Sequence, residues 1–322
     1  MPLEDNLRDR SPAEKRDERE ELGFLRQPAV RWLSPGLLAR SGVEVLVSGT
    51  FGKFADKREI QREPQLGMDH SAAAGDVWVD YLSDTGDGWE ATYTMAWLLA
   101  RESLDFDGQA LPRGRILLLG GDQVYPTAEP VAYEDRFIGP FAAAWPKSGA
   151  VDKPELYAIP GNHDWYDGLA SFLRVFCARE GRIGEWRTRQ RRSYFALKLP
   201  NDWWIWALGL VALFAAGAAL GATVFGCFLL AVHRVRGSKS WETANQIFTA
   251  QSIPDYKNLV RMRFAADGSL TLYPLGCDRV GRAWDYTPEH APGPKFSPRG
   301  AAPTAHAIDS PLVFDRTGRR SG

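Results

Sequence analysis

Residues 156–164 read Leu-Tyr-Ala-Ile-Pro-Gly-Asn-His-Asp, so an apolar run passes directly into small and polar residues. The apolar run predicts a short strand, and Gly161 begins the loop that ends it. In that loop Asn162 offers an oxygen that can bind a metal without adding charge. His163 can donate a proton to a departing oxygen, and Asp164 can orient His163. The tetrapeptide by itself is also compatible with an ordinary polar turn.

Two upstream segments have the same construction. Residues 77–82 predict a strand that enters a loop carrying Asp84, and residues 115–119 predict a buried strand that enters a loop carrying Asp122 and Tyr125. A helical pattern follows each of the three loops, from residue 89 to about 102, from 131 to about 144 and from 168 to about 178. Repeated strand–loop–helix units predict parallel strands whose loops all emerge at one edge of the sheet.

Several carboxylates at one edge repel one another unless a cation neutralises them. Asp84, Asp122, Tyr125 and Asn162 form a mostly hard-oxygen set that suits iron, manganese or zinc. Asp122 lies on the middle loop, which makes it the natural bridge between two metal ions. Each aspartate taken singly could instead be the N-cap of the helix that follows its loop.

These motifs resemble the first three signatures of calcineurin-like metallophosphoesterases, in the D-x-G, G-D-x-x-Y and G-N-H-D form of purple acid phosphatases. The resemblance covers about residues 43–208. It implies a layered α/β/β/α sandwich that holds two divalent or trivalent metal ions and hydrolyses phosphate esters.

The resemblance also implies roles for individual residues. Asp84 and Tyr125 would bind the first metal, Asp122 would bridge both metals, and Asn162 would bind the second. His163 would contact the phosphate and protonate the leaving group, and Asp164 would orient that histidine.

The chain departs from the family after these motifs. The family continues with a further histidine-bearing loop and a G-H-x-H loop, and neither pattern surrounds any histidine of this chain: His70, His163, His233, His290 and His306. The departure predicts weak or absent hydrolysis of a generic phosphate ester. An alternative is a non-catalytic membrane protein that retains a remnant of the fold as a binding module.

A membrane anchor is predicted where the family would continue its sheet. A hairpin predicted over residues 194–208 leads into residues 209–232, which contain no charged residue and are long enough to cross a bilayer as a helix. Gly217 and Gly221 within that stretch would allow close approach of a partner helix in the membrane.

The predicted fold class is α/β: a partial metallophosphoesterase-type α/β/β/α sandwich, followed by a transmembrane helix and a small β-containing C-terminal region. The predicted domains are a disordered charged tail (1–22), the metallophosphoesterase-like domain (23–208), the transmembrane helix (209–232) and the C-terminal region (233–322). That last region contains a hairpin over residues 256–275 and a Pro/Gly-rich tail from residue 288 to 311.

The charge and cysteine content limit the classes of partner that the sequence predicts. The net charge of −1 argues against a nucleic-acid surface, and the three cysteines form neither a disulfide framework nor a metal cluster. The expected partners are a phosphate-ester substrate and membrane lipid, in a single-pass protein whose phosphoesterase-like domain faces the cytoplasm. The arginine-rich stretch 182–192 is compatible with either a solvated or a lipid-facing basic patch.

Overall fold

The computed structural model describes residues 6–32, 65–73, 75–146, 153–178, 181–207, 253–287 and 293–320. The helices are α1 (Pro12–Leu22), α2 (Trp89–Leu99), α3 (Pro130–Tyr133), α4 (Gly139–Ala144) and α5 (Ala170–Phe176), and a π-helical turn over Glu134–Ile138 joins α3 to α4. Short 3-10 turns cover His163–Trp165 and Pro200–Asp202. The strands before residue 208 are β1 (Gln65–Asp69), β2 (Val77–Leu82), β3 (Ser103–Phe106), β4 (Gln109–Pro112), β5 (Ile116–Leu119), β6 (Glu155–Ala158), β7 (Arg182–Ile183), β8 (Trp186–Thr188), β9 (Phe195–Lys198) and β10 (Trp204–Ala207). Those after residue 252 are β11 (Lys257–Phe264), β12 (Leu270–Cys277), β13 (Trp284–Tyr286), β14 (Phe296–Pro298), β15 (His306–Ala307) and β16 (Leu312–Phe314).

The largest sheet of the described residues has nine strands in the order β15-β12-β11-β2-β5-β6-β8-β7, with β16 also paired to β12. Strands β2, β5 and β6 are parallel neighbours, which confirms the parallel arrangement predicted from the three strand–loop units. Their carboxyl ends lie at the same edge of the sheet, and the three motif loops begin there. Strand β11 pairs antiparallel with β2 on one side of this parallel core.

Both faces of the central strands are buried. In β5, Leu117 and Leu119 pack into a cluster with the helices, whereas Ile116 and Leu118 face a second cluster. That second cluster includes Phe195 of the small sheet formed by β1, β9 and β10. Since side chains alternate across a strand, the unbroken apolar sequence of β5 reflects burial on both faces.

The fold class predicted from the sequence is wrong. The described residues have mixed α/β content, mostly strands in several sheets, and the strands after residue 252 are not a separate small region. The predicted hairpin is confirmed as β11 and β12, but β11 continues the central sheet by pairing with β2 from Phe264↔Val77 to Val260↔Tyr81. Pairing is favoured because it satisfies the backbone groups of an edge that β2 would otherwise leave open.

A buried ion pair accompanies this strand pairing. The Arg261 guanidinium donates to both Asp80 carboxylate oxygens, at 2.6 and 2.9 Å, and to the Leu111 carbonyl at 2.9 Å. Arg261 and Asp80 are 0 % and 2 % exposed. Charge-assisted bidentate bonds of this kind stabilise one register of β11 against β2.

The fold prediction included a transmembrane helix over residues 209–232. Residues 209–232 lie outside the described residues. Among the helices that the structure does describe, none combines the length and the apolar character needed to cross a membrane.

The charged N-terminal tail is partly helical rather than disordered. Ser11 and Glu14 form a reciprocal capping box at the start of α1, and Gly23 ends the helix in the left-handed region. Glu18 on this helix is buried between Arg10 and Arg26. The sequence prediction was wrong over residues 12–22 because it counted charge without these specific pairs.

The Pro/Gly-rich tail predicted for residues 288–311 also contains structure where it is described. Phe296 of β14 is fully buried, and its ring centroid lies 4.9 Å from that of Trp89 and 5.5 Å from that of Tyr93. The Tyr93 hydroxyl donates to the Phe296 carbonyl at 2.7 Å. A single aromatic anchor therefore orders a segment whose composition resembles a linker.

Candidate active site

The three motif loops meet through close backbone contacts. Asp84 and Asp122 both have left-handed backbones, with φ of 55° and 52°, and the Asp84 N–H donates to the Gly121 carbonyl at 3.1 Å. A Cβ on Gly161 would lie 2.1 Å from Asp122 Oδ1. Only glycine allows the third loop to approach this carboxylate so closely.

Three of the predicted metal ligands are in direct contact. The Tyr125 hydroxyl donates to Asp84 Oδ1 at 2.7 Å and also lies 3.3 Å from Asp122 Oδ2. The fourth, Asn162, lies in the adjoining loop, where the backbone N–H of His163 donates to Asp122 Oδ1 at 2.9 Å. Within the described residues the Asn162 side chain forms no hydrogen bond with the other three.

The electrostatics of this group favour a cation. Burial raises the pKa of Asp122, the charge of Asp84 raises it further, and the His163 N–H lowers it. Burial also raises the pKa of Tyr125, and the two carboxylates add to that shift. A phenol proton therefore lies between two carboxylates that repel each other. Metal ions replacing that proton would relieve the repulsion, so the donor set fits the predicted metals.

His163 is oriented by a backbone carbonyl. Its Nδ1 lies 2.7 Å from the Pro126 carbonyl oxygen, which can only accept, so Nδ1 carries the proton. The imidazole also packs edge-on against Tyr125 and Tyr166, with ring centroids 4.6 and 4.9 Å apart. These contacts set the plane of the ring and leave Nε2 as the nitrogen for proton transfer.

Asp164 does not orient His163, so that predicted role is wrong. Its Oδ2 accepts from the backbone N–H groups of Asp122 at 2.9 Å and Gly161 at 2.8 Å, and its Oδ1 accepts from the Tyr133 hydroxyl. The carboxylate is fully buried and joins the second motif loop to the third. The tight turn of the loop aims this side chain at backbone donors and away from the imidazole. Burial raises the pKa of Asp164 to about 7, against the lowering effect of these donors.

Tyr133→Phe is expected to destabilise the protein by about 1.5–3 kcal/mol at pH 8, since it removes a hydrogen bond to a buried charged group. At pH 8 Asp164 is ionised, and loss of the Tyr133 donor raises its folded pKa further above the unfolded value. A carboxyl group whose pKa is higher in the folded than in the unfolded state destabilises the fold as pH rises from the unfolded pKa to the folded pKa. At pH 5.5 the folded parent and the folded variant both keep Asp164 protonated, so the cost of the substitution should shrink there. Urea unfolding of both forms at the two pH values measures this. An equal cost at both values would contradict the assignment.

Several residues of the site lie outside the motifs. The Trp32 ring centroid lies 5.3 Å from that of Tyr125 and 5.7 Å from that of His163, and Trp32 Nε1 donates to Asp87 Oδ1 at 3.2 Å. Tyr133 lies in a segment predicted only as a helix. It is the residue just before the π-helical turn, and its hydroxyl reaches Asp164 of the site. Local patterns carry no signal for either role.

Lys257 is a further residue that the sequence did not single out. It begins β11 next to the carboxyl end of β2, and its Nζ donates to the Ile253 carbonyl at 3.2 Å. Burial lowers the pKa of Lys257, while the charges of Asp87 and Asp84 raise it. The strand that the fold prediction misplaced therefore brings a positive charge to the Asp84 side of the site.

Histidine-rich ligand sets of the family type are not part of the described structure. Over the described ranges, no group of three or more His, Cys, Asp and Glu side chains is placed to hold a metal ion. The cluster at the loop edge has two carboxylates and relies on the oxygens of Tyr125 and Asn162 for further ligands.

Comparison of the chain with protein-family models, with curated proteins and with solved structures gives no match. The resemblance to metallophosphoesterases therefore rests on the three motifs alone.

Proposed function

We propose that this protein is a metal-dependent hydrolase of phosphate esters. The observation that carries the proposal is the Tyr125 hydroxyl placed between Asp84 and Asp122 where three parallel-strand loops meet. Open α/β sheets bind their ligands at this edge.

The chain's own residues divide the work as follows. Asp84 and Tyr125 would hold one metal ion, Asn162 the other, and Asp122 both. Bound iron, manganese or zinc lowers the pKa of a water molecule and neutralises phosphate charge. His163, held through Nδ1 by Pro126, would donate the Nε2 proton of its doubly protonated ring to the leaving oxygen and return to the neutral form with Nδ1 protonated.

A second candidate function is a binding module without catalysis. It is supported by the ligand set, which contains only two carboxylates in the described residues where the family adds histidines. Such a module would keep the loop geometry and bind a phosphate group without hydrolysing it.

Metal content separates the two candidates. The purified full-length chain should contain two metal ions, as two-metal hydrolytic sites do, and should hydrolyse p-nitrophenyl phosphate slowly when manganese, iron or zinc is supplied. Slow turnover is expected because the family's later histidine ligands are missing. The measurements are elemental analysis and release of p-nitrophenol. A chain without metal and without turnover would contradict the enzyme and support the binding module.

A further inference from the structure

A basic cleft is lined by a segment that continues into Trp32, a residue in contact with the candidate active site. It has a volume of about 330 Å³, and its lining includes four cationic side chains: Arg8, Arg10, Lys15 and Arg31. Its lining comes from residues 7–15, which were predicted to belong to a disordered tail, and from residues 25–31, which were predicted to begin the next domain.

Among the described residues, only one of the four cationic side chains of the cleft is paired with a carboxylate. Arg10 pairs with Glu18, which is shared with Arg26. Lys15 and Arg31 are exposed, and no ion pair joins either of them to another described residue. Arg8 donates to the Ala29 carbonyl at 2.9 Å, and this neutral acceptor does not compensate the charge of the guanidinium. The described lining contains cationic side chains and no carboxylate, so the cleft suits an anion.

The segment that forms one wall of the cleft also forms one wall of the active site. The N–H of Val30 and the indole of Trp32 both donate to Asp87 Oδ1, at 3.1 and 3.2 Å. Arg31 between them lines the cleft, and Trp32 packs edge-on against His163. Adjacent residues of one segment therefore contact the cleft and the active site.

We propose that this cleft binds a second phosphate group of the substrate. This inference rests on the proposed function, and it makes the substrate class a polyphosphorylated ester. Lys15 and Arg31 bind the distal phosphate, while the ester bond to be cleaved lies at Asp84 and Asp122. Guanidinium and ammonium groups suit phosphate because their bonds to it are charge-assisted.

Binding of inorganic tripolyphosphate to the chelator-treated full-length chain tests the cleft without needing activity. The double variant Lys15→Gln/Arg31→Gln should weaken binding by at least about tenfold, since it removes two charge-assisted contacts. The control is Arg16→Gln/Arg320→Gln, which removes the same charge from two exposed positions outside the cleft and should change affinity less than twofold. Isothermal titration calorimetry measures all three proteins.

A second variant separates the cleft from the metal centre. Asp122→Asn should bind tripolyphosphate as tightly as the parent chain, whether or not the protein proves to be an enzyme. Pelleting with vesicles containing phosphatidylinositol 4-phosphate asks whether a lipid headgroup presents the phosphate. If the cleft variant loses pelleting, the bound phosphate group belongs to a lipid headgroup. If the variant loses only tripolyphosphate binding, the phosphate group belongs to a soluble substrate. If the cleft variant binds both probes like the parent, or the parent binds neither, the proposal is wrong.

Discussion

Replacement of Asp122 by asparagine is expected to lower phosphate-ester hydrolysis by at least about 100-fold and to reduce bound metal. Mutation of a residue that only hydrogen-bonds to a metal ligand typically lowers metal affinity or activity by about 10- to 100-fold. Asp122 would itself be a ligand, and of both metal ions, so its loss should cost more. Asparagine keeps the volume and tolerates the left-handed backbone at this position, where φ is 52°. The effect should therefore come from lost charge rather than from misfolding. Steady-state kinetics and elemental analysis of the purified variant measure it.

The matched control is Asp107→Asn. Asp107 is also an aspartate with a left-handed backbone, with φ of 50°, but it lies exposed in the turn between β3 and β4. Its replacement should leave metal content and hydrolysis unchanged. Full activity in the Asp122 variant would remove the metallophosphoesterase mechanism altogether. Robust turnover in the parent chain, abolished by the Asp122 change, would show that the site is completed by ligands not yet identified.

Arg261→Leu is expected to lower the free energy of unfolding by about 3–5 kcal/mol, because it leaves the buried Asp80 carboxylate without its partner. Among the described residues, the Asp80 carboxylate would then keep a single donor, the Gly114 N–H at 3.0 Å. The loss should weaken the pairing of β11 with β2 and, with it, the position of Lys257 beside the site. Urea unfolding followed by tryptophan fluorescence measures the change.

Arg263→Leu on the same strand is the control. Arg263 pairs with Asp76 at 2.7 Å, but both side chains are partly exposed, so this pair should contribute no more than about 1 kcal/mol. A similar small cost for both arginine variants would show that the β11–β2 pairing does not depend on the buried pair.

Local sequence predicted the elements that depend on near neighbours in the chain. Strands β2, β5 and β6 follow from short apolar runs, and their loops follow from the glycines and aspartates that end them. The hairpin of β11 and β12 follows from the Asp-Gly turn that joins it. Convergence of Asp84, Asp122 and Tyr125 was predictable as well, because parallel strands place their loops at one edge.

Only the tertiary structure decided which distant segments complete the sheet and the site. Asp80 and Arg261 are 181 positions apart in the chain, and the periodicity of apolar residues does not predict such a contact. The same holds for Trp32 beside His163 and for the Pro126 carbonyl that replaces Asp164 as the partner of the imidazole. Each depends on which side chains and backbone groups come together after the chain has folded. Sequence patterns record the period of burial along the chain, and they do not record the partners.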